Sequence, residues 1–493
     1  MQSWPLLGGS LNQSVRPTSA YSDRIPTEPS LLGFTLPLDR VAISSAQASS
    51  NSSGGSDVAT TSAQGFSYLA SISVGAQVLK VILDTGSSDL WVVSSDCTSG
   101  DCAGVPTYNA TSSLILNDVP FDLDYLQGSV SGTIGYETVA LGPYQITNQT
   151  LALANKTEGL GLMDNGNSGI LGLSFPPAST IPRTVGTTLL SNLFAYLPDR
   201  ERFFAFALGR NGTSSSLSIG RIDPMYANSI EALSYSPVYI GPSDQPDYWK
   251  LPLRSITLNG TATFSSFSPS RLPNADTPIA VLDTGTTFIL GPSADVDAFW
   301  GAIGSARKSA MGQWEVRCER AVSVGFVLGE KNSTKEYAVD PTDLSWVPGG
   351  DEPGWCVGGV QANDHVNSGD WILGDTFLRN VYATHNGATK DQPPRIGLLN
   401  LTNPAASLER FRIERGDDPA PPITAGTRVL STRARRIPIS QVVILVVASL
   451  GCFVLGVLGS WATQALRHRH KYSAVQVKGP EIGLAQQPIK FTF

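Results

Sequence analysis

Alternation of apolar and polar residues dominates the chain from about Gly65 onward. It runs through FSYLASISVG, VLKVILDTG, SVSGTIGYETVALG, QTLALA, FFAFALG and SLSIG, and continues past Tyr248 through YWKLPLRSITLNGTATF, VLDTGTTFIL and SVGFVLG to PRIGLLNL. This pattern predicts short strands joined by turns, with brief peripheral helices only at TVGTTLLSNLFAYL and SADVDAFWGAIGSA. The expected fold class is mainly β. Forty-eight glycines and thirty-three prolines agree, because both favour turns over long helices.

The texture divides the chain. Residues 1–62 are rich in Ser, Pro, Gln and Asn, with one apolar patch at SLLGFTLPLDRVAI, and read as a low-complexity, propeptide-like region. Two β lobes are expected at 63–230 and 231–401. Residues 402–440 are polar and contain Pro and Arg, and read as a stalk. Val442 to Trp461 then supplies about twenty apolar residues without a charge, long enough for a single membrane-spanning helix at 441–462, followed by a cytoplasmic tail at 463–493. RHRHKY after the span and RARR before it pull the orientation in opposite directions.

The net charge of -7 carries no concentrated basic surface, which excludes a nucleic-acid partner. Cys97 and Cys102 enclose a short loop, Cys318 and Cys356 lie in one later segment, and Cys452 sits alone in the apolar run, a placement that fits an oxidising compartment. Sequons at Asn12, Asn51, Asn109, Asn148, Asn155, Asn211, Asn259, Asn332 and Asn400 point the same way. The expected location of the body is extracellular or in a secretory or vacuolar lumen. No secretory leader is legible in MQSWPLLGGSLNQS, so the start of the reading frame is expected to be missing or mis-assigned. The histidines show no metal-ligand spacing, and neither metal nor cofactor is expected.

Candidate chemistry lies in two similar segments. Asp84 and Asp283 each follow an apolar strand, and each is followed by Thr-Gly and then Ser or Thr. A strand ending in Asp-Thr-Gly delivers its carboxylate into a tight loop whose amides and hydroxyls can orient it. Two such loops imply an internal duplication with a site at its seam. Two carboxyls held close share one proton, so one serves as general base and the other as general acid at mildly acidic pH. Such a pair can activate water against a peptide carbonyl without a metal or a covalent nucleophile.

Asp-Thr-Gly-Ser-Ser-Asp-Leu-Trp-Val and Val-Leu-Asp-Thr-Gly-Thr-Thr resemble the two active-site signatures of the pepsin-like aspartic proteases, over roughly Gly65 to Leu401. GILGLSF and WILGDTFLRNVY fill the places of the family's apolar-apolar-Gly elements, and FDLDYLQGSVSGTIGYETV resembles its flap. The resemblance implies a bilobal fold and peptide-bond hydrolysis by Asp84 and Asp283. It further implies bracing of their outer oxygens by Ser87 and Thr286, interlocking of the loops by Thr85 and Thr284 beside Gly86 and Gly285, and a flap formed by Tyr125 and Gly128 with Trp91 as the tyrosine's partner. Disulfides Cys97–Cys102 and Cys318–Cys356 follow from the same likeness, as do protein or peptide substrates and a monomeric state. Membrane anchoring and dense sequons resemble fungal surface relatives such as the yapsin group, although CTSGDC lacks that group's long insertion. Leu126 and Gln127 stand where Gly-Thr is common. A non-catalytic peptide-binding or surface-adhesion protein on the same fold is the alternative. Tyr248 and Trp249 are expected to pack within the second lobe, and Asp244 and Asp247 are weighed as acidic groups that attract basic substrate residues.

Overall fold

At VGAQ the backbone of Gly75 and Ala76 turns left-handed, with φ of +52° and +66°. Two such residues form a hairpin turn whose twist matches its strands. It folds Phe66–Val74 directly back into Gln77–Asp84, with Val74 opposite Gln77, and so carries Asp84 to its strand's end. The turn is tight, as the short segment before the first aspartate predicts.

The computed structural model describes residues 33–42, 65–210, 213–260, 262–265, 267–347 and 352–420. All belong to one unit, Met1–Ser431; the second unit, Thr432–Phe493, lies outside the described residues, and with it the apolar run at 441–462 and the tail. Among the described residues no helix is long and apolar enough to cross a membrane.

The same arrangement occurs twice. Gln77–Asp84 runs parallel to Gly169–Gly172, with Leu83 opposite Leu171, and Leu90–Val93 pairs antiparallel with that short strand. In the second half Ile279–Leu282 runs parallel to Trp371–Leu373, with Leu282 opposite Leu373, and Ile289–Gly291 pairs antiparallel with it. A thirteen-stranded sheet joins the halves. Its edge strands Ser234–Pro237, Arg395–Asn400 and Val381–Asn386 come from the second half and pair onto Phe203–Ala207 of the first. An eight-stranded and a four-stranded sheet complete the second lobe. One core cluster contains Leu83, Leu90 and Leu171 together with Leu282, Ile289 and Leu373. Each such fully buried side chain contributes roughly 1.5–3 kcal/mol, so the floor under both aspartates is rigid.

The two expected helices form at Leu189–Tyr196 and Ser293–Ile303. Thr188 caps the first by accepting from Ser191 N. The second buries Val296, Phe299, Trp300 and Ile303 on one stripe and stops at Gly304, whose φ is +71°.

Two boundaries differ from the sequence reading. Within 1–62, Phe34–Ala42 is a strand, paired with Ser215–Ile219 on one side and Phe66–Val74 on the other. It therefore sits inside the sheet that joins the lobes, between those two strands. Within the presumed stalk, Pro404–Arg415 is a helix capped by Asn403, with Phe411 fully buried. Arg410 pairs with Asp340, Arg415 donates to Ser345 O, and Asp418 pairs with Arg320, so 402–420 is fastened to the second lobe.

Candidate active site

Both Asp-Thr-Gly loops are held by the same bonds. Asp84 accepts from Gly86 N at 2.8 Å and from the Ser87 hydroxyl; Asp283 accepts from Gly285 N at 2.8 Å and from Thr286 Oγ1 at 2.7 Å. Thr85 and Thr284 exchange bonds across the seam. Thr85 N donates to Thr284 Oγ1 at 3.0 Å, Thr284 N to Thr85 Oγ1 at 3.1 Å, and each hydroxyl donates to the carbonyl before the opposite aspartate, Leu282 O and Leu83 O.

Close approach explains both glycines. A Cβ on Gly86 would lie 2.5 Å from Asp283 Cγ, and one on Gly285 would lie 2.5 Å from Asp84 Oδ1. Each loop therefore presents bare backbone to the other's carboxylate. Both carboxyls are buried, each lying against the other loop's glycine. Burial and the Asp283 charge hold the Asp84 proton well above the ordinary carboxylate range, against the opposing pull of the Ser87 and Gly86 donors. Such a pair retains one proton where isolated carboxylates have none.

Above the pair, Ile115–Asp124 and Ser129–Leu141 form a hairpin closed by Tyr125 N donating to Gly128 O at 3.0 Å. Gly128 has φ +80°, and a Cβ there would meet Glu158 O at 2.5 Å. Trp91 Nε1 donates to Tyr125 Oη at 2.7 Å, and Tyr125 packs with Trp91, Phe121, Val130 and Ile134 in a cluster of their own. Burial and the Asp84 charge raise the Tyr125 phenol, keeping it neutral. Leu126 at the tip is 49% exposed. Cys97–Cys102 joins the same cluster, and Cys318–Cys356 ties Trp314–Arg317 to Trp355–Gly358; both pairs are bonded.

A profile of the family described as eukaryotic aspartyl protease matches residues 67–397, which include both loops and the hairpin. This chain belongs to that family. Chymosin of Camelus dromedarius is 31% identical over 336 residues, covering 67% of this chain and 80% of that protein. Pepsin A of Bos taurus is 31% identical over 328 residues, 64% and 80% respectively, and an aspartic protease of Phaffia rhodozyma 30% over 323, 64% and 72%. The chain is a pepsin-family aspartic endopeptidase. Both Phe34–Ala42 and Pro404–Arg415 lie outside the span this aspartyl protease shares with the family profile.

Four neighbouring residues bear on the sequence reading of the site. Trp249 is fully buried, as expected, and donates to Leu173 O at 2.8 Å. Its neighbour Tyr248 is part-buried, and burial, then the charges of Asp247, Asp84 and Asp283, raise its phenol. Asp247 is engaged by Lys250 at 2.8 Å and is not a free acid for substrate, whereas Asp244 is exposed in a turn with φ +53°. Among the described residues no group of three or more His, Cys, Asp or Glu is placed to hold a metal ion.

Proposed function

We propose that Asp84 and Asp283 share one proton and activate a water between them: the ionised member takes a proton from the water as it adds to a peptide carbonyl, and the protonated member gives its proton to the carbonyl oxygen. The proton taken from the water then goes to the departing amine as the C–N bond breaks, and the gem-diol hydroxyl returns a proton to the pair. The observation that carries this is the pair of buried carboxyls brought together at the seam, each braced by its own hydroxyl and lying against the other loop's glycine. Thr85 and Thr284 hold the loops in register, and the hairpin bearing Tyr125 and Gly128, with Trp91 behind it, closes over an extended substrate. Water activation needs one ionised and one protonated carboxyl, so activity is favoured in mild acid.

The enzyme is read as a monomer anchored by the apolar run Val442–Trp461, with its body outside the cytoplasm. Support comes from the length and lack of charge of that run, the two disulfides, and the exposure of Asn109, Asn148, Asn155, Asn332 and Asn400. Resistance of the full chain to alkaline carbonate extraction, with glycosidase-sensitive mass, tests anchoring and side.

For the chemistry, the chain is expressed through a secretory route from a start upstream of Gly33, which keeps the Phe34–Ala42 strand. A diverse peptide mixture is assayed from about pH 3 to 7, with and without pepstatin, beside Asp283→Asn. Cleavage abolished by both inhibitor and substitution is expected. A folded wild-type chain that cuts nothing at any pH sinks the reading.

A further inference from the structure

The threonine exchange is not the sole tie between the aspartate loops. Leu173–Phe175 follows the short strand Gly169–Gly172 and grips the first loop: Leu173 N donates to Asp84 O at 2.7 Å, Ser174 N to Ser87 O at 2.8 Å, and Ser88 Oγ to Phe175 O at 2.7 Å. The other side of this segment holds the second lobe. Asp247 O accepts from Ser174 Oγ at 2.9 Å and from Phe175 N at 3.2 Å, Trp249 donates to Leu173 O, and the Phe175 and Trp249 rings lie 4.1 Å apart. The path ends beside Asp283, because Leu282 N donates to Trp249 O at 2.9 Å. Bonds therefore run unbroken from Asp84 through 173–175 and 247–249 to the residue before Asp283.

A charge pair holds the middle of that path. Lys250 Nζ lies 2.8 Å from Asp247; the lysine side chain is 4% exposed and the aspartate 37%. Asp247 also accepts from Tyr248 N at 2.8 Å, and Lys250 lies 5.3 Å from the Tyr248 ring. A buried ammonium demands its partner, so the two side chains fix the turn 247–250 in one shape. Beside the threonine exchange and the shared sheet, this turn adds a tie next to the aspartate loops themselves, at a point away from both.

We propose that Asp247 and Lys250 are a positioning pair, clamping the second lobe onto the 173–175 bridge and so setting the spacing and tilt at which Asp84 and Asp283 share their proton. The inference rests on the proteolytic reading of those two residues. Misplacement of reacting groups by about 1 Å can cost on the order of 10²-fold in rate, so loosening the clamp acts on kcat.

The test measures kcat, KM and the pH profile of kcat/KM for full-length Lys250→Met, Lys250→Gln, Asp247→Asn and Lys250→Arg, with active enzyme counted by tight-inhibitor titration. Loss of either charge is expected to lower kcat about tenfold or more with KM changed less than about threefold, and to move the limbs of the pH profile, while Lys250→Arg restores most of kcat. Lys250→Gln keeps length without charge and serves if Lys250→Met folds poorly. Wild-type kcat and pH limbs per folded molecule in Lys250→Gln and Asp247→Asn overturn the clamp and leave the proteolytic reading standing. A folded wild type without activity overturns that reading, and the clamp with it.

Discussion

The two lobes are alike where they meet and unlike everywhere else. Each brings an apolar strand to an Asp-Thr-Gly loop, backs it with a parallel strand, and braces the carboxylate with a hydroxyl three residues on. Away from the seam, the first lobe extends a hairpin over the site and stitches a five-residue loop beneath it, while the second carries a helix and a small sheet closed by a bridge over 38 residues. Symmetry is kept where two carboxylates must be presented face to face. It is abandoned away from the seam, where the first lobe carries the long hairpin and the second the small sheet closed by Cys318–Cys356.

The largest effects test the symmetric part. Asp84→Asn and Asp283→Asn should each lower kcat/KM by roughly 10³-fold or more, since either change removes the shared-proton state. A chain in which one substitution is tolerated would break the equivalence of the loops. Next come the bridges. In the chain-entropy account, replacing Cys318 and Cys356 by Ser costs about 4 kcal/mol and replacing Cys97 and Cys102 about 2 kcal/mol, following loop length. Denaturant midpoints of the two double variants check the order. A larger loss from the short bridge would assign the first lobe the greater dependence on its staple.

What was legible in the sequence, and what was not, divides along the same line. Strands around each aspartate announce themselves through local alternation, and the helices through cap and stripe. Phe34–Ala42 showed only as part of the apolar patch SLLGFTLPLDRVAI within a low-complexity stretch, because its partners are remote: Leu36 pairs with Leu217. Pairing over that separation does not announce a strand locally. Pro404–Arg415 has little apolar character; one buried phenylalanine and ion pairs to the second lobe hold it, so no stripe marked it.

His385 probes the seam itself. Its strand lies between Phe203–Ala207 and Arg395–Asn400 in the sheet both halves build. The imidazole is fully buried, stacked on Phe204 at 4.7 Å and Phe206 at 5.2 Å with Trp249 edge-on at 4.8 Å, and neither ring nitrogen has a partner. Burial alone holds it down to about 3. With the folded value depressed, the unfolded chain takes up a proton first; the stabilisation is whole above the ordinary imidazole range and is lost as pH falls toward the folded value. His385→Phe should leave stability near pH 7.5 little changed and recover roughly 2 kcal/mol at pH 5. Unfolding curves at the two pH values decide it, and equal shifts at both would mean the phenylalanine merely packs better.

The smallest effect sharpens the asymmetric part. Trp91 is fully buried, and its indole N–H is spent on Tyr125 Oη, so Tyr125→Phe leaves a buried donor without an acceptor. That costs about 1–3 kcal/mol wherever the bond matters. If the hairpin serves substrate, the cost falls on the closed, substrate-bound state, and kcat/KM drops about fivefold or more while the melting temperature stays near wild type. The same substitution in a Trp91→Phe background should then add little, because the bond is already gone. A fall in melting temperature comparable to that of the Cys97–Cys102 variant, with kcat/KM unchanged per folded molecule, would make the hairpin a packing element. The difference between the lobes would then be one of stability alone.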